Sequence, residues 1–300
     1  MKSIFTHHRK REQLAGYLFI LPNFLGFALF VLFPILVSLF LIFTEWDYLQ
    51  GFNGLEFVGL KNFMDLRHDE YFLPALKNNF IFTVVVVPVS MVIGLLVAIV
   101  LNKYVYLKGL LRTLFFLPYV SSLVAMSVVW AVMYNATDGP INAVLRSIGL
   151  ENPPGWLSSP SWALISIMIL TIWINVGYTM VLFLAGLQGV PKDLYEASEI
   201  DGANKLRQFF HITVPMLAPT TFLVAITLMI SSFQVFAAVA VMTQGGPINS
   251  TMVIVYHIYL QAFKYYKMSY AATLSWILFI IIFLITLVQW KGQKKWSSNF

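Results

Sequence analysis

"YEASEIDGANKLRQFFHITVP", residues Tyr195–Pro215, decides how the rest of the chain is read. It places Glu196, Glu199, Asp201, Lys205 and Arg207 close together, between apolar runs at 162–187 and 214–242 that hold no Asp, Glu, Lys or Arg. A charge at the centre of a membrane span costs about 2.5–3.5 kcal/mol on insertion scales. The stretch therefore lies in water and its neighbours lie in lipid. Its apolar and small residues still recur at helical spacing, so it reads as ordered.

The composition agrees. The chain has 300 residues, 59% hydrophobic and 11% charged, with a mean hydropathy of +0.78. A soluble domain carries about 25% charged residues. The apolar excess is gathered into runs of span length, which marks an all-α integral membrane protein. There is no Cys, which excludes disulfides, thiolate metal sites and a cysteine nucleophile.

Six charge-free runs stand at 14–43, 80–101, 114–134, 162–187, 214–242 and 269–290. About 20 residues cross the hydrocarbon core. The first run exceeds that, so kinks are expected at Pro22 and Pro34, and further kinks at Pro88, Pro118 and Pro219. A seventh piece, 251–263, holds His257 and is too short to span. It reads as a re-entrant or interfacial helix. The spans divide the chain into a basic N-tail (1–13), a six-span body (14–290) with a charged loop at 190–213, and a C-tail (291–300). Thirteen Lys and Arg residues fall on the side of the tails, the 102–113 loop and the 190–213 loop, against six on the other side. The positive-inside rule then places both termini in the cytoplasm. The net charge of +6 is a topology signal rather than a nucleic-acid patch.

Several mechanisms lack their residues. No span carries a carboxylate or basic group, as coupling to a proton or sodium gradient requires. No phosphate-cradling G-x-x-x-x-G-K-[ST] occurs, nor H-E-x-x-H, nor G-x-S-x-G. An enzyme is not indicated, and energy for uphill movement has to come from a partner. The spans do carry uncharged polar stripes. Thr171, Asn175 and Tyr178 fall at i, i+4 and i+7, as do Thr227, Ser231 and Gln234, with Ser232 alongside. Hydroxyl, amide and phenol groups suit a neutral, hydroxyl-rich solute. They equally suit helix-to-helix hydrogen bonding, and spacing does not separate the two readings.

In the charged loop, Pro191 suits a first helical turn, with Asp193 and Glu196 where the helix dipole favours acids. Asp201-Gly202 breaks the helix. A second helix then sets Leu206, Phe209, Phe210 and Thr213 on one side. The loop serves either as a solvated connector or as a knob whose small residues let a partner close around it.

Glu196-Ala197-Ser198, Asp201-Gly202-Ala203, Phe209, Ile212 and Pro215 resemble the EAA loop of binding-protein-dependent ABC importer permeases. "FVGLKNF" (57–63), "LKGLLRTLFFLP" (107–118), "GPINAVL" (139–145), "FLAGLQGVPKDLYEA" (183–197) and "TQGGPINST" (243–251) resemble strings of its sugar-importer branch, typified by maltose, glycerol-3-phosphate and multiple-sugar permeases. Ser198 replaces the second Ala of the motif, and Ser269 stands where the branch often has Gly. The resemblance implies a type I ABC importer permease fold in a bacterial cytoplasmic membrane. It implies ATPase coupling through Glu196, Ala197, Ser198, Asp201, Gly202 and Ala203. The expected pathway comprises Thr171, Asn175, Tyr178, Thr227, Ser231, Ser232 and Gln234, with Ile174, Leu228 and Val235 carried over from the family. A periplasmic gate is expected at Gly245, Gly246 and Pro247. Partners would be a second homologous permease, two ATPase subunits and an extracytoplasmic solute-binding protein, all working at the lipid bilayer. No cofactor is implied in this chain, since ATP and Mg would bind the ATPase. The rival reading is a channel or scaffold subunit that uses no ATPase.

Overall fold

The computed structural model describes residues 2–103 and 106–297. Met1, residues 104–105 and residues 298–300 lie outside the described residues, so the extreme ends of both tails named above do too. In chain order the elements are α1 (Lys2–Phe27), α2 (Phe33–Leu41), β1 (Thr44–Trp46), β2 (Leu55–Phe57), α3 (Lys61–Asp65), α4 (Phe72–Lys103) and α5 (Lys108–Val120). Then come α6 (Leu123–Met133), α7 (Pro140–Ser147), α8 (Pro160–Gln188), α9 (Lys192–Ile200), α10 (Lys205–Gln208) and α11 (Val214–Met216). The chain continues through α12 (Ala218–Phe233), α13 (Ala237–Met242), α14 (Ile254–Tyr259) and α15 (Met268–Ser297). Among the described residues, five helices are long and apolar enough to cross a membrane, or six if the bent pair α5–α6 is one span.

Proline does not act as the sequence suggests. Pro22 and Pro88 lie inside unbroken helices, and Pro219 sits in the first turn of α12. Two π-helical turns, Ala28–Leu32 and Phe209–Thr213, each end two residues before a proline, Pro34 and Pro215. A proline ring clashes with the carbonyl four residues back, and a π turn moves that carbonyl by widening the repeat to i→i+5. The third run bends by 95°. The break comes at Ser121–Ser122, beyond Pro118: Ser121 is extended and Ser122 caps α6, its hydroxyl accepting from the Ala125 N–H.

The chain divides into two compact units, residues 1–68 with 261–276, and residues 69–260 with 277–300. In the first, β1 and β2 form an antiparallel hairpin pairing Thr44 with Phe57 and Trp46 with Leu55. The "FVGLKNF" string closes it. Gly59 takes φ +61°, its N–H and that of Val58 donate to the Phe43 carbonyl, and the buried Asn62 amide donates to the Ile42 and Thr44 carbonyls at 2.9 and 2.8 Å. Ser269 is 3.1 Å from the Thr44 hydroxyl in a buried pair that glycine could not form. Leu41, Ile42 and Ala272 make a small core there with Trp46, Phe63 and Trp276 around it.

In the second unit α8 is central. Half of its span is buried, against 6% for the first span. Small residues let its neighbours approach closely. A Cβ on Gly177 would come within 2.1 Å of the Phe115 carbonyl oxygen on α5, and one on Gly94 of α4 would collide with Thr179. Part of the 251–263 piece packs inward: Ile254, Tyr256 and His257 on α14 are buried, Ile254 and Tyr256 within a core built with Phe82, Ile167 and Phe233.

Candidate functional site

The charged loop folds as an elbow. Pro191 is the N-cap of α9, one residue ahead of the helix, and Asp193 lies in its first turn. The helix ends in a Schellman turn. The Gly202 N–H donates to the Glu199 carbonyl at 3.0 Å and the Ala203 N–H to the Ser198 carbonyl at 2.9 Å. Gly202 has φ +75°, a left-handed conformation natural to glycine. Asn204 then caps α10 through the Arg207 N–H.

One side chain fastens the two arms. Gln208 is 3% exposed. Its amide donates to the Ser198 hydroxyl at 2.9 Å, the Tyr195 carbonyl at 3.3 Å and the Glu199 carboxylate at 3.4 Å. The Ser198 hydroxyl donates to the Tyr195 carbonyl at 2.8 Å, and the Tyr195 and Thr213 hydroxyls meet at 2.9 Å. Glu199 also pairs with Lys205. Glu196, Ala197, Asp201 and Gly202 face outward, while Ser198 and Ala203 are half-buried. Leu194, Ala197 and Ile200 line an open face at three-residue spacing, with Ile200 88% exposed. The second arm splits the expected side: Leu206 and Phe210 are exposed, Phe209 is half-buried and Thr213 is buried. The π turn over 209–213 widens the repeat, so Thr213 leaves the face that Leu206 and Phe210 share.

The stripes divide residue by residue. The Tyr178 hydroxyl donates to Thr227 Oγ1 at 3.2 Å, joining α8 to α12, and Tyr178 stacks on Tyr119 at 4.9 Å between ring centroids. Ser232 is turned away, its hydroxyl donating to Thr83 on α4 at 2.9 Å. Thr171 bonds back to the Ile167 carbonyl. Asn175 is half-buried, while Ser231 and Gln234 are exposed at the end of α12, where the helix breaks before α13. Ile174, Leu228 and Val235 are buried.

The 243–251 loop is closed on itself. Gly245 has φ +83°, and a Cβ there would press on Met252 and Tyr256. The Gly246–Pro247 peptide is cis. Buried Thr251 donates to the Gly246 carbonyl at 2.7 Å and pairs with the Thr243 hydroxyl at 2.7 Å. Sequence reasoning missed Tyr195, Gln208 and Thr213 in the elbow and Asn78, Asn79, Thr243 and Thr251 near the loop. The adjacent amides Asn78-Asn79, at the head of a charge-free run, were the visible signal.

Residues 90–290, two thirds of the chain and all three of these regions bar Asn78, Asn79 and Thr83, match the model of the binding-protein-dependent transport system inner membrane component family. The chain belongs to that family. It is thus a multi-pass membrane transport component and not an enzyme. The lactose transport system permease protein LacF of Rhizobium radiobacter is 38% identical over 287 residues, 93% of this chain and 94% of LacF. The probable ABC transporter permease protein YesP of Bacillus subtilis is 34% identical over 291 residues, 96% of this chain and 93% of YesP. Among solved structures, a chain of the bacterial alginate ABC transporter, in complex with an alginate pentasaccharide-bound periplasmic protein, superposes with a TM-score of 0.81. It is 22% identical and covers 96% of both chains, which shows a shared fold.

Proposed function

We propose that this family member is the permease subunit of an ATP-driven importer for a neutral sugar or oligosaccharide in the bacterial cytoplasmic membrane. Both termini and the 190–213 elbow face the cytoplasm. A second homologous permease completes the pathway, and two ATPase subunits, holding ATP and Mg, dock on the elbows. An extracytoplasmic binding protein delivers the solute to the side of the 245–247 loop. Alternating access follows when ATP closes the ATPase pair and the elbows swing the bundle as rigid levers.

One observation carries the reading: the elbow is stiff inside and open outside. Gln208 and Ser198 lock its arms together, while Leu194, Ala197 and Ile200 present an apolar face to water beside Glu196. A solvated connector has no use for that face, which fits a protein cleft. The channel or scaffold reading leaves it unexplained. The sugar class draws on the uncharged polar groups of α8 and α12, Tyr178, Thr227, Ser231 and Gln234, and on the names of relatives such as LacF and a starch degradation products permease.

The test is Glu196→Lys and Gly202→Asp in the assembled transporter. Both are expected to abolish uptake and release the ATPase, while the permease still inserts in normal amounts. Sugar uptake that survives both substitutions overturns the proposal.

A further inference from the structure

Asn78 and Asn79 sit next to each other on α4, about 100° apart around the helix. Asn79 has no exposed surface. Its amide donates to the Ser232 and Phe233 carbonyls at 3.4 and 3.3 Å, the last carbonyls before α12 breaks. Its Oδ1 accepts the N–H of Ile254 at 2.7 Å, where α14 begins. Helix ends leave such groups short of intrahelical partners, and here one buried side chain serves three of them, at two helix ends. Asn78 donates to the Asn249 and Met252 carbonyls at 3.1 and 2.9 Å. Before α4, Asp69 accepts the Tyr71 and Phe72 N–H groups, and its other oxygen pairs with His257 of α14 at 2.7 Å, both side chains being buried. The hydroxyl contacts inside the 243–251 loop close it on itself, and Asn78 ties it to the bundle.

We infer that Asn78 and Asn79 are positioning residues for translocation. They fasten the 243–253 loop and the broken fifth span to α4, so that the three move as one body. Contact with a solute-loaded binding protein at the loop is then delivered directly to the turn that carries Ser231 and Gln234. The inference rests on the importer reading. Its opposite is a loop that swings away from α4 in each cycle, leaving the buried Met252 carbonyl and Ile254 N–H to find new partners. Buried polar groups resist that.

The chain has no Cys, and Asn78 and Ser250 line one cavity, so an Asn78→Cys, Ser250→Cys pair can be read in proteoliposomes holding the permeases, the ATPase and the binding protein. In the reduced pair the loop is untied, and the KM for solute-loaded binding protein rises about tenfold with kcat within about twofold. A short bis-thiosulfonate cross-linker restores the wild-type KM. Asn79→Asp keeps the acceptor for Ile254 but sets a carboxylate against two carbonyls. It lowers kcat about tenfold and leaves that KM unchanged. A merely architectural role would reduce the yield of assembled transporter and leave KM and kcat per complex alone, which overturns the inference. So does transport that cross-linking blocks and reductant recovers, or wild-type constants in the reduced pair and in Asn79→Asp. If the wild-type assembly takes up no sugar with ATP and binding protein, the importer reading itself falls.

Discussion

Ser198 is where this chain departs from the small-residue motif it resembles, and the structure gives the serine hydroxyl a task. It accepts from Gln208 and donates to the Tyr195 carbonyl, so the two arms of the elbow meet through it. The two partners are unequal. Ser198→Ala removes one acceptor but leaves Gln208 the Tyr195 carbonyl and Glu199, a loss of about 0.5–1.5 kcal/mol. Gln208→Leu removes the donor to all three acceptors in a buried position, a loss of about 1–3 kcal/mol. If the elbow couples to an ATPase as proposed, loosening it in this way transmits less of the ATPase stroke. The number of sugars imported per ATP hydrolysed in proteoliposomes should fall clearly for Gln208→Leu and only slightly for Ser198→Ala. Equal ratios for both variants and wild type would show that stiffness inside the elbow plays no part in coupling.

At the scale of elements, apolar runs and charge breaks were legible because lipid forbids charge along about 20 residues of helix. The α9–Gly202–α10 corner was legible too, since Asp201-Gly202 interrupts a helical pattern and glycine tolerates φ > 0. What did not show was anything set by partners distant in sequence. The bend at Ser121–Ser122 carries no proline at the break, while Pro22 and Pro88 lie inside unbroken helices: a proline alone does not fix where a helix bends. The departure of Thr213 from the face of Leu206 and Phe210 was not legible, because a π turn is invisible to a 3.6-residue period. Among the substrate-stripe residues, only coordinates separate Ser232, bonded to Thr83, from exposed Ser231 one position earlier. The β1–β2 hairpin is a further case, since its closure depends on Asn62 reaching two carbonyls eighteen and twenty residues away. Asn62→Leu leaves both carbonyls unpaired in a buried site, at about 1–3 kcal/mol each at most. Amide hydrogen exchange over residues 55–65 should accelerate at least about tenfold, with exchange in α8 unchanged. Protection of 55–65 that stays at the wild-type level would mean that the strand pairing alone holds the hairpin.

Across the whole molecule the governing feature is where charge is absent. No Asp, Glu, Lys or Arg occurs in any of the six charge-free runs, and a buried hydrogen bond between Asp69 and His257 joins the lead-in to α4 with α14. A carrier driven by an ion gradient needs a group inside the membrane whose charge changes as the ion binds and leaves. The polar groups along α8 and α12 are hydroxyls, amides and a phenol, which can hydrogen-bond a sugar yet hold no net charge at neutral pH. On the importer reading proposed above, free energy enters at the elbow, from nucleotide chemistry in another chain. Vesicles containing the full transporter and an ATP-regenerating system should keep their initial rate of sugar uptake within about twofold when a protonophore and a sodium ionophore collapse both gradients. Depleting ATP with the gradients intact should stop uptake. The controls separate the two energy sources, since ATP content is measured in the same vesicles. If uptake instead dies with the gradients while ATP persists, the His257–Asp69 pair becomes the first candidate for a coupling site, and the elbow loses its claim to be the sole point of energy entry.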